Sequence, residues 1–128
     1  MFQRVVAAAI AVFLFSPPVW AFDAPRGVKV VRTEKGEALA DPDGMTLYVY
    51  DRDGAFESKC AATCAENWPP LEAREKDERV GRFLVIERGD GKLRWSYGGK
   101  PLYRWSKDKD KGDITGHGLA GVWRIAAP

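Results

Sequence analysis

The chain has 128 residues, 20 basic and 18 acidic side chains, a hydrophobic fraction of 45% and two cysteines. That length accommodates one domain with a core of its own and excludes two independent ones. A formal net charge of +2, with both signs interleaved in runs such as "REKDER" and "SKDKDKGD", leaves no concentrated basic face for nucleic acid; these runs read as solvated surface.

Residues 1–21 differ in kind from the rest of the chain: a basic start ending at Arg4, an apolar run from Val5 to Phe15, then Ser16-Pro17-Pro18-Val19-Trp20-Ala21. This is the pattern of a secretory signal peptide, with Val19 and Ala21 suited to the positions before cleavage. The apolar run is well short of the ~20 residues a bilayer crossing needs. A mature single domain of about 107 residues, 22–128, is expected in the periplasm or secreted. Cys60 is the first cysteine, so no lipid anchor on an N-terminal cysteine and no stable membrane attachment are expected.

The mature sequence reads as β structure. "GVKVVRTE", a turn at Lys35-Gly36, "EALA", a turn at Pro42-Asp43-Gly44 and "MTLYVY" form a first meander. Ser58 stands where it could cap a short helix of about two turns that must end before Pro69. Cys60 and Cys64 lie in that segment, and an exported chain with two cysteines is expected to join them. Side chains four apart on a regular helix sit too far apart for a disulfide, so a distorted turn is expected around "CAATC". A charged connection, 72–80, comes next as an exposed link or frayed helix.

The second meander is clearer: "RFLVIER", a turn at Gly89-Asp90-Gly91, "KLRWSY", Gly98-Gly99 and "KPLYRW". A two-residue loop at Gly98-Gly99 sets Tyr97 opposite Lys100, Ser96 opposite Pro101 and Trp95 opposite Leu102. "GDITGHGLAGVWRIAAP" reads as a glycine-rich loop leading into a last short strand.

The two halves repeat. At a constant offset of 55, without gaps, Gly36 falls on Gly91, Gly44 on Gly99, Leu47-Tyr48 on Leu102-Tyr103, Tyr50 on Trp105, Asp53 on Asp108 and Trp68 on Trp123. The expected fold is all-β and mainly antiparallel: two fused three-strand meanders, about 26–71 and about 81–126, packed across a pseudo-twofold axis, with one short helix or turn at the cysteine pair.

"LYVYDRD" with "CAATCAENWPPL", and "GGKPLYRWSKDKDKGDITGHGLAGVWRIAAP", resemble a bacterial secreted-repeat family, predicted lipoproteins with a Y-x-[FWY]-x-x-D motif. The resemblance implies the duplicated fold and export, and carries no established activity. The absent lipid-acceptor cysteine departs from the lipoprotein members.

Tyr48, Tyr50 and Asp53 carry the motif in copy one, Tyr103, Trp105 and Asp108 in copy two. Alternate residues of a strand share a face, so each aromatic pair projects together. One reading makes the aromatics core and each Asp a turn former; the other makes them an aromatic and carboxylate-lined groove for a small cation or apolar ligand. His117, with Trp68 and Trp123, marks a candidate loop site. A lone histidine without Cys-x-x-Cys-His or His-x-x-x-His spacing specifies neither c-type haem nor zinc, and no catalytic constellation is recognisable, so no metal, cofactor or enzymatic role is expected. The function that fits is a periplasmic binding or interaction module for a small ligand or partner protein. A redox, metal or haem-associated protein using Cys60 and Cys64 is the alternative.

Overall fold

The computed structural model describes residue 9, residues 22–87 and residues 90–128. The predicted signal peptide, apart from Ala9, and Gly89 of the predicted turn lie outside the described residues. In chain order the elements are β1 (Lys29–Thr33), β2 (Gly36–Ala40), β3 (Tyr48–Tyr50), α1 (Thr63–Asn67), β4 (Phe83–Glu87), β5 (Leu93–Tyr97), β6 (Lys100–Pro101), a 3₁₀ turn (Leu119–Gly121) and β7 (Trp123–Ile125). All strand pairings among them are antiparallel.

Copy two forms the expected meander β4-β5-β6, in the expected register: Ser96 opposes Pro101 and Tyr97 opposes Lys100. Pro101, which has no N–H to give, thus occupies a non-hydrogen-bonded position. The Leu102 N–H donates to Trp95 O at 3.1 Å and continues the pairing beyond β6.

Copy one differs at its second turn. The loop between Asp41 and Met45 contains a turn in which the Gly44 N–H donates to Asp41 O, with Gly44 at φ 86, a left-handed position suited to glycine. This longer loop makes Leu39 the partner of Leu47, where the Trp95 and Leu102 pair of copy two sits one residue differently. The gapless offset therefore fails at β2: Gly36 and Gly91 are not structural equivalents. β3 keeps only sparse bonds to β2 and makes its ladder with β7 instead, Tyr48 opposite Ile125 and Tyr50 opposite Trp123.

That pairing joins the two copies, and it is reciprocated. Arg104 N–H donates to Pro69 O and Leu71 N–H to Leu102 O, so the end of copy one lies along copy two just as β7 lies along copy one. At the centre, Tyr48 N–H donates to Tyr103 O at 2.8 Å and Tyr103 N–H donates back to Tyr48 O at 3.0 Å. Two residues 55 apart in sequence thus face each other directly, which places the pseudo-twofold axis between them.

Two buried clusters flank this seam. One holds Leu39, Leu47, Phe83, Trp95 and Leu102; the other holds Tyr48, Cys60, Trp68, Tyr103, Trp123 and Ile125. The charged connection starts by adding to the edge of β5, through the Ala73 N–H to Leu93 O, and then turns at Arg74 to Asp77; it forms no helix.

Candidate functional site

The repeated motif builds a column of four rings. Trp68 and Trp123, equivalent residues, stack at 3.7 Å between ring centroids and 4° between planes. Tyr50 stacks on the outer face of Trp123 at 4.2 Å, and its counterpart Trp105 on Trp68 at 4.0 Å. Tyr48 and Tyr103 meet the two tryptophans edge-on at 5.3 and 5.1 Å. The order Tyr50, Trp123, Trp68, Trp105 alternates between copies. Gly116 packs against this column: a Cβ there would fall 2.6 Å from the Trp68 ring.

The aspartates are exchanged as well. Tyr48 hydroxyl donates to Asp108 Oδ2 at 2.6 Å, and Tyr103 hydroxyl donates to Asp53 Oδ2 at 2.6 Å. Each carboxylate also fastens the loop beyond it, Asp53 through the Lys59 N–H and Asp108 through the Thr115 N–H and hydroxyl. Each motif's tyrosine therefore answers to the other motif's aspartate. Burial, reinforced by the adjacent carboxylate, pushes both phenols well above the ordinary tyrosine range. Burial also pushes the Asp53 carboxyl up, opposed by the Lys59 N–H and the Tyr103 hydroxyl.

Under Tyr103 lies Arg94, only 1% exposed, with its guanidinium 4.3 Å from the ring centroid and Nη2 donating to Leu102 O at 3.0 Å. A charge held in this way has the aromatic face and a carbonyl in place of water.

Ser58 does not cap α1. The helix begins after Ala62 with no side-chain cap, and Ser58 Oγ lies 2.6 Å from the Tyr103 hydroxyl instead. The expected distortion is located at Ala62, at φ 53, between Cys60 outside the five-residue helix and Cys64 within it. The two form a disulfide with Cα atoms 5.2 Å apart. Both thiols should resist alkylation of the native protein until reductant is added. Because the closed loop is so short, reduction should lower stability by only about 2 kcal/mol, read as a shift in the urea midpoint; a much larger loss would make the bridge a staple of the whole domain.

His117 Nδ1 accepts the Ile125 N–H at 3.1 Å, which fixes β7 to the glycine-rich loop and leaves the ring proton on Nε2. Trp68 and Trp123 share the column, and His117 lines a separate groove.

Of the motif residues, Tyr48 and Tyr103 are fully buried, whereas Tyr50 and Trp105 are half-buried at the two ends of the column. Each end opens on a recess. The Tyr50 recess, about 370 Å³, is lined by Val49, Asp51, Asp53, Lys100 and Arg124. The Trp105 recess, about 140 Å³, is lined at matching positions by Arg104, Ser106, Asp108, Met45 and Pro69. Motif reading alone misses Lys100, Arg124 and Asp51. The signal that finds them is the pairing of Lys100 with Met45 and Arg124 with Pro69 at the same offset of 55.

Among the described residues no helix is long and apolar enough to cross a membrane. No curated protein and no solved structure matches the chain. Residues 29–72 and 84–127 each match a family described as a secreted repeat of unknown function, and the two matches coincide with the copies joined at the Tyr48 and Tyr103 seam. The chain belongs to that secreted-repeat family, which it represents with two copies.

Proposed function

We propose that the chain is an exported binding module of the periplasm, with its ligand seated against Tyr50 in the recess bounded by Asp51, Lys100 and Arg124. The observation that carries this reading is the unlike chemistry of two recesses framed alike. The column, the exchanged Tyr and Asp pairs and the crossed terminal segments recur in both copies, as folding requires. The recess linings recur only in part: each keeps its motif aspartate, Asp53 or Asp108, but Asp51, Lys100 and Arg124 stand around Tyr50 where Ser106, Met45 and Pro69 stand around Trp105, whose cation, Arg104, replaces Val49. An aromatic wall with a few convergent polar groups is the usual make-up of a small-ligand site.

The test uses protein purified from the periplasm, whose N-terminus should be Phe22. Thermal shift is measured with benzoate, phenyl phosphate, benzylammonium and benzyl alcohol. At least one probe should raise the melting temperature, and Tyr50→Leu, compared with its own unliganded baseline, should abolish that shift. If none of the four stabilises the protein, the binding reading is lost.

A further inference from the structure

Beside the Tyr50 recess runs a second groove of about 260 Å³, and the two share Val49, Gly98, Lys100 and Arg124. Arg82, Lys100, Arg124 and His117 stand along this groove, and no acidic side chain is among the residues lining it. Asp51 holds one end of Arg124 from the neighbouring recess, taking Nε at 3.0 Å and Nη2 at 2.6 Å. Arg82 is aimed by Tyr97, with its guanidinium 4.6 Å from the ring centroid. Lys100 is exposed and makes no ion pair among the described residues.

The other copy sharpens the contrast. Offset by 55, Arg82, Lys100, Arg124 and His117 correspond to Gly27, Met45, Pro69 and Ala62, none of them charged. The groove over Gly27 holds both signs, with Arg26 bonded to Asp77 at 2.7 Å and Glu72 in its lining. Lys100 and Arg82, with Arg124 held by Asp51 beside them, give this groove a positive bias that an entering anion satisfies, and the His117 ring adds an N–H donor. Its floor, Val49, Ile125 and Ala126, is apolar.

We infer that this groove, continuous with the Tyr50 recess, binds a small organic anion: a carboxylate or phosphate between Lys100 and Arg82, with an apolar body lying over Val49 toward Tyr50. The inference rests on the binding reading above and adds to it the sign of the ligand.

The experiment is calorimetric titration of the periplasmic protein with phenyl phosphate, benzoate, inorganic phosphate and benzylammonium at low ionic strength, where such attraction is least screened. Phenyl phosphate or benzoate should bind about tenfold more tightly than benzylammonium, and Lys100→Met and Arg82→Ala should each weaken that binding by about tenfold. Both residues are on the surface, so the variants should melt as the parent does. Comparison of the two organic anions separates carboxylate from phosphate, and inorganic phosphate measures what the apolar body adds. Anion binding that is absent, that survives both substitutions unchanged, or that is no tighter than benzylammonium overturns the inference. Benzylammonium or benzyl alcohol binding that depends on Tyr50, with the anions inert, would leave the binding module standing and remove only the anion.

Discussion

Trp68→Ala lowers the unfolding free energy by about 3–5 kcal/mol, and Trp123→Ala lowers it by a similar amount. Each ring is only 4% exposed and is covered on both faces, by the other tryptophan and by Tyr50 or Trp105. Truncation of either opens a cavity in the middle of the column and leaves an edge-on tyrosine without its partner. Since a small domain has roughly 5–15 kcal/mol in total, each single variant should be visibly weakened. The double variant should cost less than the sum of the singles, because the two rings contact each other and their contact can be lost only once. Urea unfolding of the four proteins measures the difference. Strict additivity, or a near-neutral effect at either position, would place the tryptophans outside a shared core.

Alkaline unfolding is the second large effect. Below about pH 10 the phenols of Tyr48 and Tyr103 are neutral in both the folded and unfolded chain. Above it the unfolded chain ionises while the folded one, whose phenols are pushed up by burial and by Asp108 and Asp53, does not. The stability contributed by the neutral phenols is therefore complete below about pH 10 and is lost as pH rises through the window above it. Each tyrosine removes about 1.4 kcal/mol per pH unit, and the pair about 2.7, enough to unfold a marginal domain by about pH 12. Tyr48 and Tyr103 should ionise, read at 295 nm, only as the β-sheet circular dichroism disappears. Tyr48→Phe should halve the pH slope and, by removing a hydrogen bond to a carboxylate, cost about 1.5–3 kcal/mol at neutral pH. Ionisation of Tyr48 and Tyr103 near pH 10 with the fold intact would rule out the exchanged pairs as described.

Local chemistry makes part of this structure readable in advance. Gly98-Gly99 fixes a two-residue loop, and the Tyr97 to Lys100 register comes from it alone. Two copies containing Trp and Tyr at one offset make duplication plain, and period-two alternation gives the shared faces of Tyr48 with Tyr50 and of Tyr103 with Trp105. Partnership across the axis is another matter. Asp53 lies close to Tyr48 and Tyr50 in sequence, and nothing local indicates that its hydroxyl partner is Tyr103. The same limit hides the ladder of β3 with β7, since propensity identifies strands without naming their neighbours. Ser58 has the residue type of a cap, but the left-handed Ala62 moves the helix start beyond its reach. Lys100 and Arg124 have the look of ordinary surface charge because only the fold brings them to one groove.

The crossing of terminal segments also sets the order in which the molecule can be completed. β3 waits for β7, from near the other end of the sequence, and until residues 123–126 are in place Trp68 has no Trp123 to stack on and β3 no ladder partner. The β1-β2 hairpin is local to the first copy, whereas the ladder of β3 with β7 is a long-range closure, of the kind that slows folding. Completion of the fold therefore depends on its last strand, and a chain lacking residues 123–126 should lose both the β3 ladder and the centre of the ring column.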